Sequence, residues 1–124
     1  MTDTKTPRQE LGGFGERVAA ARVEGLGMTI LARNVRLKAS EVDILARDGE
    51  DLVFIEVRTR RAMPGAAGES LDARKRNKMW AAAMEYCERE SLDPSRARLD
   101  AILVELDARG VVRSVQHLRG LELD

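Results

Sequence analysis

The chain has 124 residues, a length that suits one domain built around a single hydrophobic core. Its 21 lysines and arginines balance 21 aspartates and glutamates, so the total charge provides no general attraction to nucleic acid or to an anionic membrane. One cysteine and one histidine exclude an internal disulfide and leave too few soft ligands for a structural zinc site. No apolar run approaches the roughly 20 residues that span a bilayer. We therefore expect a cytoplasmic protein that has no membrane partner.

The hydrophobic pattern predicts a helix, three strands, a second helix and two further strands. Residues 1–10 are polar and are expected to form a flexible N-terminus, which leaves 11–124 as a single domain. The predicted elements are a helix over 11–25, strands over 28–37, 41–47 and 52–60, a loop over 62–70, a helix from Ser70 or Asp72 to about Glu90, and strands over 98–106 and 111–118. Each amphipathic helix must cover a sheet face. This requirement predicts an α/β fold with a mixed central sheet of about five strands flanked by helices.

Acidic side chains share a face in the second and third predicted strands. Because side chains alternate along a strand, Glu41 and Asp43 point to the same face, and Glu56 points with Arg58. The opposite face of the second strand is expected to carry apolar residues, namely Val42, Ile44 and Ala46.

The length of the hairpin loop decides how the acidic positions meet. A two-residue loop, Asp48-Gly49, places Asp43 across from Phe54, whereas a four-residue loop over 48–51 places Asp43 directly across from Glu56. Both of these even-length registers put Asp43 and Glu56 on the same side of the sheet, whereas a three-residue loop would separate them unless a bulge restored the phase. Two carboxylates at this separation repel each other. The spacing therefore fits either a divalent-cation site or a surface ion-pair ladder with neighbouring arginines.

A basic segment follows the carboxylates directly. Between Arg58 and Lys78 there are seven basic residues and two acidic ones. This excess fits a phosphate-binding track beside a cation site, and it also fits a solvated helix face. The candidate nucleic-acid contacts are Arg60, Arg61, Arg74, Lys75 and Lys78.

Five short motifs resemble the signature of the YraN family of uncharacterised bacterial proteins. They occur in the family's order within the region from Leu11 to about Leu118, and five together are far more specific than any one alone. The motifs are Gly12-Gly13-Phe14-Gly15-Glu16, Ile30-Leu31-Ala32-Arg33-Asn34, Ser40-Glu41-Val42-Asp43-Ile44-Leu45-Ala46, Val53-Phe54-Ile55-Glu56-Val57-Arg58-Thr59-Arg60 and Arg98-Leu99-Asp100.

That family is similar to nucleases of the restriction-endonuclease-like superfamily, the PD-(D/E)xK type, and most closely to archaeal Holliday-junction resolvases. The resemblance implies a restriction-endonuclease-like core and a Mg²⁺-dependent endonuclease, with Mn²⁺ as a substitute cation, that acts on DNA, including branched DNA. It implies that Asp43 and Glu56 are metal ligands, and that the catalytic set also includes Arg58, in the superfamily's lysine position, and Glu16, the helix-borne acid. Because junction resolvases act as dimers, the analogy also implies a homodimer.

Two residues depart from the family pattern. Ser40 stands where the family usually has glycine, which changes the turn but removes no ligand. Arg58 stays charged and can orient phosphate, whereas a lysine at that position could lose its proton and act as a base. A non-catalytic nucleic-acid-binding or adaptor domain that retains the fold is therefore the alternative function.

Three further residues are assigned structural roles. Asp100 lies in an apolar strand and is expected to be hydrogen-bonded to a neighbouring arginine, because a buried charge needs a partner. His117 is expected at the surface near a strand end, and Cys87 is expected on the buried stripe of the second helix.

Overall fold

The computed structural model describes residues 7–61 and 71–122, and its strands form one mixed five-stranded sheet. The elements in chain order are α1 (Pro7–Gly25), β1 (Thr29–Arg36), β2 (Glu41–Asp48), β3 (Asp51–Arg61), α2 (Ala73–Arg89), a short 3-10 helix (Pro94–Arg96), β4 (Ala97–Leu106) and β5 (Val112–Leu118). This is the predicted order, and the predicted α/β class with a five-stranded mixed sheet is confirmed.

The element boundaries differ from the predicted ones in a few places. Helix α1 begins at Pro7, so it takes in four residues of the segment expected to be flexible. Asp72, rather than Ser70, is the N-cap of α2, and its side chain accepts a hydrogen bond from the Lys75 N–H. The predicted loop over 62–70 lies outside the described residues. Neither described helix is long and apolar enough to cross a membrane.

The strand order in the sheet is β1-β2-β3-β4-β5, and each strand neighbours the next one in sequence. All neighbouring pairs are antiparallel except β3 and β4, which are parallel. A parallel pair needs a connection that crosses over one face of the sheet, and α2 lies in that connection. Helix α1 precedes the sheet and packs on the other face, where β3 is its main neighbour.

Each helix closes its own hydrophobic core against the sheet. The core on the α1 face takes Ala19, Ala20 and Val23 from the helix and includes Ile44, Ala46, Val53, Ile55, Ile102 and Val104 from the strands. The core on the α2 face takes Met79, Ala82, Ala83 and Cys87 from the helix and includes Val42, Leu45, Phe54 and Leu99 from the strands. The predicted core position of Cys87 is confirmed, because its side chain is 1% exposed.

The β2–β3 hairpin adopts the register that the four-residue loop predicted. Arg47 pairs with Leu52, and the ladder then closes with Asp48 opposite Asp51. Gly49 takes a φ of 62° in the turn between them, a left-handed conformation that glycine adopts without strain. At the other end the last paired residues are Ile44 and Ile55, so the next step of this register brings Asp43 level with Glu56.

Strands β1 and β2 change face together at the level of Asp43. Val42 packs in the core on the α2 face, whereas Ile44 and Ala46 pack on the α1 face, so the prediction that these three share a face is wrong. On β1 the residue between the partners of Ile44 and Val42 is Asn34, whose φ of 54° is left-handed. A left-handed residue interrupts the regular alternation of a strand, which is why a strict two-residue period failed here.

A buried charge cluster ties the turn end of the hairpin to β4 and to the chain after β5. Asp100 is 0% exposed and accepts hydrogen bonds from Arg98 Nε at 3.0 Å and from Gly120 N–H at 3.0 Å, and it lies 2.7 Å from His117 Nε2. Arg98 also donates to Asp48 in the hairpin at 2.9 Å. The predicted arginine partner of Asp100 is confirmed.

His117 does not lie at the surface as predicted, because its side chain is 7% exposed and contacts Asp100. The sequence pattern did not indicate this pairing, since the two residues meet only through the antiparallel pairing of β4 with β5. Burial opposes the charge of Asp100. The hydrogen bonds from Arg98, Gly120 and His117 outweigh that effect and hold the pKa of Asp100 below its usual value.

We expect Asp100→Asn to lower the free energy of unfolding by about 3 kcal/mol, because breaking a buried ion pair leaves Arg98 without its main counter-charge. Urea denaturation at neutral pH measures the change. Asp51→Asn is the matched control, since Asp51 is 43% exposed and lies 3.5 Å from the same arginine. Asp51→Asn should lower the free energy of unfolding by less than about 1 kcal/mol. Equal losses in the two variants would contradict a special role for the buried carboxylate.

We expect Asn34→Gly to leave stability nearly unchanged and Asn34→Val to lower it by about 1–2 kcal/mol, because only glycine and asparagine accept a left-handed φ readily. Asn34 is exposed, so lost side-chain packing does not account for such a difference. Arg36→Val, at an exposed position of the same strand, is the control and should change stability by no more than about 0.5 kcal/mol. Thermal denaturation would contradict the interpretation if Asn34→Val and Arg36→Val behaved alike.

Candidate metal and phosphate site

Asp43 lies on β2 just beyond the last residue that pairs with β3. Its Oδ2 accepts a hydrogen bond from the backbone N–H of Val57 at 2.8 Å. The Val57 N–H thus bonds to a side chain just beyond Ile44 and Ile55, where the backbone pairing of β2 with β3 ends. This bond fixes the carboxylate against β3 at the level of Glu56, where β3 no longer pairs with β2 and remains paired with β4.

Glu56 lies on β3 between two cationic side chains. Its Oε1 is 3.6 Å from Lys75 Nζ and 3.9 Å from Arg58 Nε, and its side chain is 13% exposed. Lys75 comes from the first turn of α2, whose N-terminus is fixed by the Asp72 cap. The crossover between β3 and β4 therefore brings a basic residue from a helix to a carboxylate on the sheet.

The pKa values of both carboxylates are raised. Burial is the largest cause for Asp43, and the neighbouring charge of Glu56 adds to it, so that its pKa rises from 3.8 to about 7 despite the Val57 hydrogen bond. Burial also raises the pKa of Glu56, although Lys75 and Arg58 partly oppose the shift. Burial is therefore the main reason that both carboxylates resist ionisation.

Two further acids influence this pair from different elements. Glu16 on α1 lies 3.9 Å from Arg33 of β1, and its charge contributes to the raised pKa of Asp43. Glu41 is exposed at the start of β2, and its charge contributes to the raised pKa of both Asp43 and Glu56. The role of Glu16 as the acid that completes the site stays a prediction.

A small cleft beside Glu56 contains residues that the sequence did not single out for a site. The cleft lies between α2, the start of β2 and the middle of β3, and it is lined by Ser40, Glu41, Val42, Phe54, Ile55, Glu56, Met79 and Ala82. Ser40 Oγ accepts a hydrogen bond from Lys75 Nζ at 3.3 Å. In the sequence, the motif residues Ser40-Glu41 were the signal for this cleft. Their contacts with α2 are known only from the structure.

The other predicted basic residues are distributed around the site. Arg58 and Arg60 are half-buried on β3, and Arg61 is exposed at the end of that strand. On α2, Lys75 reaches Glu56 whereas Arg74 and Lys78 are exposed. The structure thus brings Arg58 and Lys75 to Glu56, and the phosphate contacts of Arg60, Arg61, Arg74 and Lys78 stay predictions.

The donor set of Asp43 and Glu56 fits a hard divalent cation. Within residues 7–61 and 71–122, no three side chains of histidine, cysteine, aspartate or glutamate gather into a ligand group. Mg²⁺ does not require such a group, because it is commonly held by one or two carboxylates together with water and substrate phosphate. The raised pKa values of both acids also indicate that a cation would be electrostatically favourable here.

In metal-free buffer we expect ionisation of Asp43 to destabilise the protein as the pH rises from about 4 to about 7, because its pKa is higher in the folded than in the unfolded chain. Asp43→Asn should remove this part of the pH profile and raise the free energy of unfolding at pH 8 by about 2 kcal/mol. Denaturation of both proteins across this pH range tests the sign. Glu88→Gln, an exposed change on α2, should keep the wild-type profile. A destabilised Asp43→Asn at pH 8 would contradict the raised pKa.

Comparison with solved structures found similarity to the SfsA protein of Pyrococcus furiosus in complex with Ca²⁺. The two chains are 15% identical, with a TM-score of 0.38. The match covers 93% of this chain but 64% of that chain, so this chain spans less than two thirds of that protein's length.

Sequence comparison found much closer relatives. A UPF0102 protein of Dehalococcoides mccartyi is 42% identical over 80% of this chain and 83% of its own length. A UPF0102 protein of Kineococcus radiotolerans is 38% identical over 92% of this chain and 94% of its own length. A UPF0102 protein of Moorella thermoacetica is 40% identical over 91% of this chain and 95% of its own length. The family model for the uncharacterised protein family UPF0102 matches residues 15–104, which include Glu16, Asp43 and Glu56. The chain therefore belongs to UPF0102, the YraN family that its motifs indicated.

Proposed function

We propose that this protein is a Mg²⁺-dependent endonuclease-like domain that hydrolyses phosphodiesters in DNA, with branched or otherwise structured DNA as its substrate class. The proposal is carried by the meeting of Asp43 and Glu56, whose pKa values are both raised. A surface ion-pair ladder lowers the pKa of its carboxylates, because each acid gains a counter-charge. Two adjacent acids whose pKa values are raised, mainly by burial, are instead typical of cation-binding and catalytic sites.

Asp43 and Glu56 would hold the cation through their carboxylate oxygens. The Val57 N–H occupies Oδ2 of Asp43, which leaves Oδ1 for a ligand. A bound divalent cation neutralises phosphate charge and lowers the pKa of a bound water for attack on phosphorus. Glu16 on α1 would assist by orienting water, and Arg33 lies 3.9 Å from its carboxylate.

Arg58 and Lys75 would bind the phosphate whose ester bond is broken. The guanidinium of Arg58 stays protonated, so it stabilises developing negative charge and does not act as a base. Lys75 contributes a second positive charge from α2. Arg60, Arg61, Arg74 and Lys78 would extend the contact along the phosphate backbone, which positions a nucleic acid without reading its sequence.

Selection of DNA by shape suits this distribution of side chains. Contacts to phosphates carry no sequence information, so an enzyme that relies on them discriminates by the path of the backbone. A junction has two-fold symmetry, and a homodimer would present one cation site to each of two equivalent strands. The cytoplasm, where a bacterial chromosome is accessible, is the compartment that this function requires.

We expect the purified protein to cleave a four-way junction in the presence of Mg²⁺ or Mn²⁺ faster than it cleaves linear duplex or single-stranded DNA of the same sequence. Asp43→Asn and Glu56→Gln should each reduce the rate by at least about 100-fold, because both remove a charged cation ligand while keeping the side-chain shape. Gel analysis of labelled strands measures the cleavage.

Glu88→Gln is the matched control, since it removes one exposed carboxylate from α2 and should leave the rate unchanged. Metal-independent binding to DNA without cleavage would instead support the non-catalytic adaptor, for which Arg58 in the lysine position is the favouring observation. A protein that neither binds nor cleaves any of the three DNA forms would overturn both functions.

A further inference from the structure

Among the residues that the structure describes, Lys75 is one of two cations that contact Glu56, and it lies nearer to that carboxylate than Arg58 does. Its Nζ lies 3.6 Å from Glu56 Oε1, compared with 3.9 Å for Arg58 Nε at the same oxygen. Lys75 Nζ also donates to Ser40 Oγ at 3.3 Å. The ammonium group therefore provides part of the positive charge that the acids need, from a helix rather than from the strand that carries Glu56.

The backbone of Lys75 is fixed by the helix, whereas its side chain is partly exposed. Asp72 caps the first turn of α2 through the Lys75 N–H, and Met79 and Ala82 anchor the following turns in the core. The side chain itself is 26% exposed and ends in a flexible four-carbon stem. Its head group can therefore leave Glu56 without any movement of the helix.

Arg58 is less suited to such a movement. It lies two residues from Glu56 on the same strand and makes further interactions beyond its contact with that carboxylate. A planar guanidinium donates in fixed directions, whereas the compact ammonium of lysine rotates its three donors on a flexible stem. Of the two cations at Glu56, Lys75 is the one that can be exchanged.

We propose that Lys75 holds Glu56 in the cation-free protein and exchanges with a divalent cation there, after which its ammonium group binds a phosphate of the DNA. The inference rests on the proposed function, because it describes how the same site links the binding of the cation to the binding of the phosphate. Lys75 is thus a positioning residue that links cation binding to phosphate binding. By thermodynamic reciprocity, bound phosphate must then strengthen cation binding by the same factor.

The first test measures Mn²⁺ binding alone by titration calorimetry at pH 8, so that it requires no DNA and no activity. We expect Lys75→Met to bind Mn²⁺ about fivefold more tightly than the wild type, because a competing unit charge at about 4 Å is removed. Lys75→Arg keeps the charge and should stay close to the wild type. Lys78→Met removes a charge from the exposed part of the same helix and should change little.

The outcomes separate this inference from the proposed function. If the wild type binds Mn²⁺ and Lys75→Met binds it equally or more weakly, the exchange at Glu56 is wrong while the cation site stands. Equal tightening in Lys75→Met and Lys78→Met would also overturn the exchange, since it would reflect only the overall charge. If neither the wild type nor Lys75→Met binds Mn²⁺, the cation site fails, and the exchange fails with it.

The second test measures affinity for a four-way junction at several salt concentrations, with and without Ca²⁺ as the cation. Release of Lys75 to a phosphate should steepen the slope of log affinity against log salt by about 0.9 in the wild type and should not do so in Lys75→Met. An equal steepening in the variant would overturn the transfer to phosphate. Failure of both proteins to bind the junction would overturn the proposed function and, with it, that transfer.

Discussion

Burial of two neighbouring carboxylates is the constraint on which the carboxylate site depends, and the charge of Glu56 adds to its effect on Asp43. Adjacent strands bring Asp43 and Glu56 together, and burial weakens the screening that water would provide. The fold provides one backbone hydrogen bond to Asp43 and places two cations beside Glu56. These contacts reduce the repulsion between the two carboxylates without removing it. A site of this kind lowers stability in the absence of a ligand, which is the usual relation between functional sites and their scaffolds.

Contacts elsewhere in the fold hold the β2–β3 hairpin and α1 in place around the carboxylate pair. At the turn end, Arg98 joins Asp48 of the hairpin to the buried Asp100 of β4, and the chain after β5 adds the Gly120 N–H. On the α1 face, a Cβ added to Gly15 would lie 2.8 Å from Thr59 Cβ and closer still to its hydroxyl oxygen. The absence of a side chain at this position lets the helix approach β3, which places the next residue of α1, Glu16, near the sheet. These contacts lie outside the carboxylate pair and support its geometry from both sides.

The zero net charge of the chain conceals a spatial separation of charge. Asp43 and Glu56 lie where the pairing of β2 with β3 ends. The β3–α2–β4 crossover places the basic first turn of α2 beside Glu56. A protein can thus be neutral in total and still present adjacent acidic and basic regions. In the proposed function these regions bind a cation and a phosphate, and Lys75 belongs to both. Neutrality in the sum is therefore compatible with a nucleic-acid partner.

The sequence by itself determined the element order, the α/β class, the family and the strands that carry Asp43 and Glu56, because these depend on local periodicity and on short motifs. Strand alternation also predicted correctly that Glu56 and Arg58 share a face. The tertiary structure decided the hairpin register, since two loop lengths satisfied the same pattern, and it decided the change of face at Asn34, where one left-handed residue breaks the period. It alone brought His117 to Asp100 and Lys75 to Glu56, because those contacts join elements that are distant in the chain. Local sequence specifies which residues can share a face of an element. Which faces meet depends on long-range packing, and the chemistry of the site arises where they do.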